Sequence, residues 1–171
     1  NVITYSAAIS ACEKAFHWQV ALWLLASMST LSLEADVICF TAAISACEKC
    51  SNWVQALLLV SELSASRLHA DVITFSTAIS ACAKGAQWEA AVALLEQLQG
   101  ADVQPNIITC NAALHACVAS SQWELTLHCY QQFSGQPVAH DVVTVSAVVL
   151  AKEVGARPVE ADLANIANLA T

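Results

Sequence analysis

Apolar positions along this chain fall at helical spacing, and then the same spacing returns. Val2, Tyr5, Ile9 and Cys12 are separated by three, four and three residues, which sets them on one stripe of an α-helix. Trp18, Ala21, Leu25 and Met28 follow a similar rule. Each such stretch therefore predicts two amphipathic helices of about a dozen residues joined by a short turn. The hexapeptide ISACEK at Ile9–Lys14 recurs unchanged at Ile44–Lys49, as ISACAK at Ile79–Lys84, and in decayed form as LHACVA at Leu114–Ala119. Trp18, Trp53, Trp88 and Trp123 keep the same interval of 35 residues, and so do Tyr5, Phe40 and Phe75.

A two-helix unit repeated at that interval cannot bury both of its apolar stripes alone, and stacking on its neighbours solves the problem. The expected fold is all-α, a solenoid of stacked helix-turn-helix repeats forming one array over residues 1–171. Its units run 1–35, 36–70, 71–105 and 106–140, with a degenerate fifth at 141–171 in which Pro158 stands where the next Trp should be. The turns between paired helices read AFH, CSN, GAQ and SSQ. Gly100 and Gly135 are expected to close second helices in the left-handed conformation, and Pro105 to keep the outgoing loop from continuing as helix. Ala8, Ala43, Ala78 and Ala113, with Ala21, Ala56 and Ala91, allow neighbouring helices to approach closely.

Composition narrows the class. Apolar residues make up 57% and charged residues 12%, which suits a folded chain rather than a disordered one. No apolar run reaches the roughly 18 residues of a membrane span, so a soluble protein is expected, with no membrane partner. The first residues carry neither a basic-then-apolar signal nor an Arg-rich leader, so any targeting segment is expected to lie outside this stretch. Of eight cysteines, Cys12, Cys47, Cys82 and Cys117 share one repeat position, which favours buried free thiols over a disulfide framework.

Opposite the apolar stripe, Ser6, Ser10 and Lys14 share a side of the first helix, as do Thr41, Ser45 and Lys49, and Ser76, Ser80 and Lys84. Half of the six basic residues thus stand in register. Such a ladder suits a repetitive anion such as a nucleic-acid backbone. It equally suits solvated cations at helix C-termini.

Units that open D-V-I-T-aromatic-hydroxyl, carry A-x-I-S-A-C-x-K and continue W-x-x-A-L-x-L-L resemble pentatricopeptide repeats of the P type. The wording YSAAISACEK is especially similar to the large sets of these repeats found in dinoflagellate algae. The resemblance covers residues 1 to about 151 and suggests a fragment of a longer array. It implies a right-handed superhelix that binds single-stranded RNA on the face formed by the first helices, one base per repeat. In the family, base selection falls to the residue after the aromatic and to the one immediately before the next unit. Here those pairs are Ser6 with Asp36, Thr41 with Asp71, Ser76 with Asn106 and Asn111 with Asp141, which by the family's correspondence prefer GGAU from 5′ to 3′. Ile3, Ile38, Ile73, Ile108 and Val143 match the aliphatics that stack on bases, although plain core packing would also explain them. Lys14, Lys49 and Lys84 match a lysine that approaches phosphate, and Ala119 replaces it in the fourth unit. The resemblance further implies a chloroplast or mitochondrial role in RNA processing, stability or translation.

No catalytic residue, cofactor, metal or small-molecule substrate is expected. Cys47 and Cys50 form an isolated C-x-x-C, and His115, Cys117, His128 and Cys129 include repeat core positions. No phosphate-cradling glycine loop or nucleophile motif occurs. The rival reading is a helical scaffold that binds other proteins, related in plan to tetratricopeptide repeats. The net charge of −8 counts against RNA, whereas the small polar residues and the Asp or Asn at the paired positions count for it.

Overall fold

The computed structural model describes residues 1–133 apart from 67, 102 and 121, together with 146, 148 and 149. Gly135, Asp141, Val143, Pro158 and the body of the expected fifth unit therefore lie outside the described residues. Among the described residues eight helices follow one another: α1 (Val2–Lys14), α2 (Trp18–Thr30), α3 (Val37–Lys49), α4 (Trp53–Ala65), α5 (Val72–Lys84), α6 (Trp88–Gly100), α7 (Ile107–Ala119) and α8 (Trp123–Phe133). The odd-numbered, or first, helices begin 35 residues apart.

Each first helix starts at a side-chain cap. Asn1, Asp36, Asp71 and Asn106 accept a hydrogen bond from the backbone N–H three residues on, at 2.8–3.0 Å. Each first helix that is followed by a described turn ends in a reciprocal pair of backbone bonds. In α3 the Asn52 N–H donates to the Cys47 carbonyl and the Ser51 N–H to that of Glu48. This closure needs a left-handed residue, and the chain supplies non-glycines: Phe16, Ser51 and Ala86 have φ of 58°, 55° and 52°. Left-handed non-glycines carry a cost of about 1 kcal/mol each, which the fixed pairing of the two helices sustains. Gly100 does not behave as expected. It is the last residue of α6, and no described glycine has a positive φ. At the end of α2 that conformation falls to Ser32, with φ 53°.

Packing follows two rules. First helices pack side by side, α1 on α3, α3 on α5 and α5 on α7, while α2, α4 and α6 each pack on their partner and on the next first helix, and α8 packs on α7. Among the described residues the second helices do not pack on one another. A groove of about 430 Å³ lined by Leu57, Val60, Ser61, Ser64, Leu94 and Gln97 opens between α4 and α6 instead. Closely packed first helices and splayed second helices bend the stack, so the first helices form its inner surface.

The close approach depends on alanine. Ala43, Ala46, Ala78, Ala81, Ala113 and Ala116 are fully buried. Ala11, at the repeat position of Ala46, is exposed, because the unit before it is what covers this residue in later units. Cys47, Cys82 and Cys117 are fully buried free thiols, and burial pushes Cys47 and Cys82 up to about 11, out of the range of a nucleophile at neutral pH. No helix among the described residues is long and apolar enough to cross a membrane. In a chain of residues 1–171 alone, Ala46→Leu should destabilise the fold by about 1–3 kcal/mol through overpacking, whereas Ala11→Leu should stay within about 0.5 kcal/mol of the unsubstituted chain. Urea unfolding of both variants checks this pair, and equal losses would mean that coverage by the preceding unit is not what confines the alanine.

Candidate functional site

The inner surface carries a row of apolar side chains that are mostly exposed. Ile3, Ile38, Ile73 and Ile108 are 76%, 66%, 62% and 63% exposed. Core packing is therefore not their role. Each sits in the first turn of its helix, one residue after the start. Between Ile38 and Ile73 lies a groove of about 360 Å³ whose lining also includes Thr41, Asp71, Ser10, Glu13 and Ser45. The structure thus brings together the second sequence-predicted pair, Thr41 with Asp71, and the two isoleucines expected to flank it.

Within that pair the side chains are connected. Asp71 Oδ1 accepts from the Thr74 N–H at 2.8 Å and from the Thr74 hydroxyl at 2.7 Å. Thr74 Oγ1 in turn lies 2.7 Å from Thr41 Oγ1, which also donates to the Val37 carbonyl. The third pair repeats this chain: Ser76 Oγ lies 2.7 Å from Thr109 Oγ1, which donates to Asn106 Oδ1 at 2.8 Å. The first pair does not. Ser6 donates to the Ile3 carbonyl, and Cys39 occupies the position of Thr74 and Thr109. Burial and the neighbouring Asp36 push the Cys39 thiol up to about 11. Asn111 is half-buried, and its partner Asp141 lies outside the described residues.

Asp36, Asp71 and Asn106 are thus helix caps as well as candidate base-reading groups. Capping alone is a sufficient reason for Asp or Asn before each first helix, so this pattern by itself does not separate an RNA reader from a peptide-binding scaffold.

The lysine ladder also has intramolecular partners. Glu13 Oε1 accepts from Lys49 Nζ at 2.8 Å and Ser45 Oγ at 2.9 Å. Glu48 Oε1 accepts from Lys84 Nζ at 2.7 Å and Ser80 Oγ at 3.0 Å. Each bridge links a glutamate of one unit to the serine and lysine of the next. At the third junction the same three places hold Ala83, His115 and Ala119, so the whole set is exchanged together. Lys14, exposed at the end of α1, occupies the first place in the ladder.

Two kinds of comparison place this architecture. The pentatricopeptide repeat model matches residues 3–33 and 73–103, and a related pentatricopeptide repeat domain model matches residues 93–129. The chain belongs to the pentatricopeptide repeat family. No curated protein sequence matches it. Among solved structures it is similar to the pentatricopeptide repeat protein PPR10, a maize protein, in complex with an 18-nucleotide psaJ RNA element, at TM-score 0.75 and 22% identity. That match covers 90% of this chain and 22% of the other. It is also similar to proteinaceous RNase P 2 of Arabidopsis thaliana, at TM-score 0.83 and 12% identity over 94% of this chain and 36% of the other. A third match is the pentatricopeptide repeat domain of A. thaliana protein-only RNase P 1 in complex with tRNA. Its TM-score is 0.79 and its identity 11%, over 89% of this chain and 80% of the other.

In this pentatricopeptide repeat array, sequence reasoning missed Glu13 and Glu48 as partners of the ladder, and Thr74 and Thr109 as connectors of the paired positions. A signal for the glutamates exists. The hexapeptide loses its Glu in the third unit, at Ala83, and its Lys in the fourth, at Ala119, which are the two ends of one bridge.

Burial pushes the Glu13 carboxyl up, but hydrogen bonds from Lys49 and Ser45 and the charges of Lys49 and Lys14 outweigh it and hold the group below its ordinary 4.5. A depressed carboxyl favours the folded state fully above 4.5, and this contribution is lost as pH falls through the lowered value. Lys49→Ala should raise the Glu13 pKa from its depressed position, since only Ser45 and Lys14 then oppose burial. An NMR titration of the side-chain carboxyl reads the change, and an unmoved midpoint would mean that the bridge does not form in solution.

Proposed function

We propose that the inner surface binds single-stranded RNA, one base per unit, with the preference GGAU from 5′ to 3′, and that the protein containing this array acts in organellar RNA processing, stability or translation. The observation that carries this reading is the groove in which exposed Ile38 and Ile73 flank Thr41 and Asp71. Flat apolar walls with hydrogen-bonding groups between them suit a nucleobase, which has two faces to cover and a polar edge to pair.

The donor and acceptor inventory fits the family's correspondence. Thr41 and Asp71 can both accept, matching the two N–H donors on the Watson-Crick edge of guanine. Asn106 replaces a carboxylate oxygen with an amide donor, which suits the ring-nitrogen acceptor of adenine beside its amino group. Asn111 carries both a donor and an acceptor, as uracil recognition requires. The organellar setting and the base order come from the family resemblance. The solved relatives support the reading to the extent that PPR10 and the RNase P 1 domain were each crystallised with RNA. The chain spans 22% of PPR10, and short contact limits affinity.

A protein-binding scaffold is the second reading. It draws on the capping role of Asp36, Asp71 and Asn106 and on the ion-paired state of Lys49 and Lys84, neither of which requires RNA. Filter binding of single-stranded RNAs carrying GGAU or a scrambled site, across a salt series, separates the two. GGAU should bind more tightly, with affinity falling as salt rises. Equal binding of both RNAs, or none at low salt, would remove the sequence-reading function. Thr41→Asn should move the second base preference from guanine to uracil, read as a reversal in the ranking of RNAs that differ only at that base.

A further inference from the structure

Resting on the reading of the inner surface as a base reader, we propose that Thr74 and Thr109 are specificity-determining residues. Each fixes the hydrogen-bond polarity of the base-reading hydroxyl one unit earlier, and Cys39 leaves the first position without this control. The inference follows from counting protons. Asp71 is a carboxylate and has none, so the 2.7 Å contact to its Oδ1 is donated by Thr74. Thr74 has a single hydroxyl proton, so its oxygen can only receive at its 2.7 Å contact with Thr41. The other short neighbour of the Thr41 hydroxyl is the Val37 carbonyl, also an acceptor, at 2.7 Å. Both inward neighbours are acceptors competing for the single Thr41 proton, so in either arrangement that proton points inward and what the hydroxyl presents to the groove is lone pairs.

The third pair has the same polarity. The Asn106 oxygen accepts from both the N–H and the hydroxyl of Thr109, so Thr109 can only receive from Ser76, whose other partner is the Val72 carbonyl at 2.6 Å. A hydroxyl held as an acceptor discriminates between base edges. A freely turning hydroxyl does not, because it can donate to one base and accept from another.

The first pair is a natural control. Ser6 and Asp36 are the same residue types as a guanine-reading pair, yet the Ser6 proton has a single inward acceptor, the carbonyl of Ile3 three residues back at 3.0 Å, where Thr41 has two at 2.7 Å, so the Ser6 hydroxyl is held less firmly. Thr41 and Ser76 bond four residues back. Asp36 accepts the Cys39 N–H at 2.9 Å as a helix cap, and a thiol is a poor hydrogen-bonding bridge between Asp36 and Ser6. The first and second units, nominally identical readers, are thus unequal. The second position should reject adenine in favour of guanine more strongly than the first does.

The test compares RNAs with guanine or adenine at the first or second position, titrated against wild type, Thr74→Val, Thr74→Ser and Cys39→Thr. Circular dichroism melts accompany each variant to show that the fold is retained. Losing one oriented hydrogen bond should cost about threefold to tenfold in discrimination. Wild type should discriminate at the second position and less at the first. Thr74→Val should reduce the second ratio by that factor without changing the first, Thr74→Ser should restore it, and Cys39→Thr should raise the first. If wild type discriminates at the second position and Thr74→Val leaves that ratio intact, the relay is wrong while base reading stands. If wild type shows no base preference at either position, the base-reading function and the relay fall together.

Discussion

The separation of adjacent first helices governs what the inner surface can be. Alanines at the contact, Ala43, Ala46, Ala78, Ala81, Ala113 and Ala116, are fully buried and bring these helices close. At that distance, side chains on the inner face of one unit reach those of the next. Thr41 meets Thr74, Ser76 meets Thr109, Ser45 and Lys49 meet Glu13, and Ser80 and Lys84 meet Glu48. Bulkier contact residues would widen the gap and break these bonds first, because hydrogen bonds weaken steeply beyond about 3.2 Å. The functional element is therefore the junction between two units rather than the unit itself.

The junctions are not equivalent. A charged bridge spans the first and second, and a hydroxyl chain spans the second and third. Among the described junctions only the second carries both, and the groove with Thr41 and Asp71 lies there. The charged bridges are partly exposed, so each stabilises the stack by about 0–1 kcal/mol. Their larger effect is on the ladder itself. Lysines that are paired within the chain present less free positive charge than the sequence suggests, and a phosphate approaching Lys49 or Lys84 competes with a carboxylate already in place.

Much of the fold was legible because it rests on periodicity. Three-and-four spacing set the helices, and the 35-residue interval set the stack. Closure of the helices was not. Glycine is the expected left-handed residue at the ends of second helices, whereas at the end of α2 Ser32 takes that conformation, and first helices close through Phe16, Ser51 and Ala86, which propensity ranks low and tertiary pairing enforces. At the site, residue types were legible, and the isoleucines at 35-residue intervals are on the surface, where the core alternative fails. The connections between side chains were not legible, since they depend on interhelical distance. Asp71 also illustrates a limit of pattern reading: one residue satisfies a helix cap and a candidate base contact at once, and no single-sequence signal separates the two.

The acidic total and the inner surface point in different directions, and their balance indicates how a ligand is held. Glu62, Glu89, Glu96 and Glu124 lie exposed on α4, α6 and α8, the second helices, so much of the negative field originates on the outer layer. On the inner layer the bridges cancel charge locally, leaving a surface near neutrality that is lined by exposed isoleucine and oriented polar groups. Such a surface attracts a polyanion weakly from a distance, because long-range steering requires net charge of the opposite sign. Once contact is made, its grip comes from covering Ile3, Ile38, Ile73 and Ile108, at roughly 25 cal/mol per Å² of apolar area removed from water, and from hydrogen bonds whose polarity the neighbouring unit fixes. Binding by this face should therefore be slow to form and selective in what it retains, a consequence of directing the lysines toward glutamates and the isoleucines toward solvent.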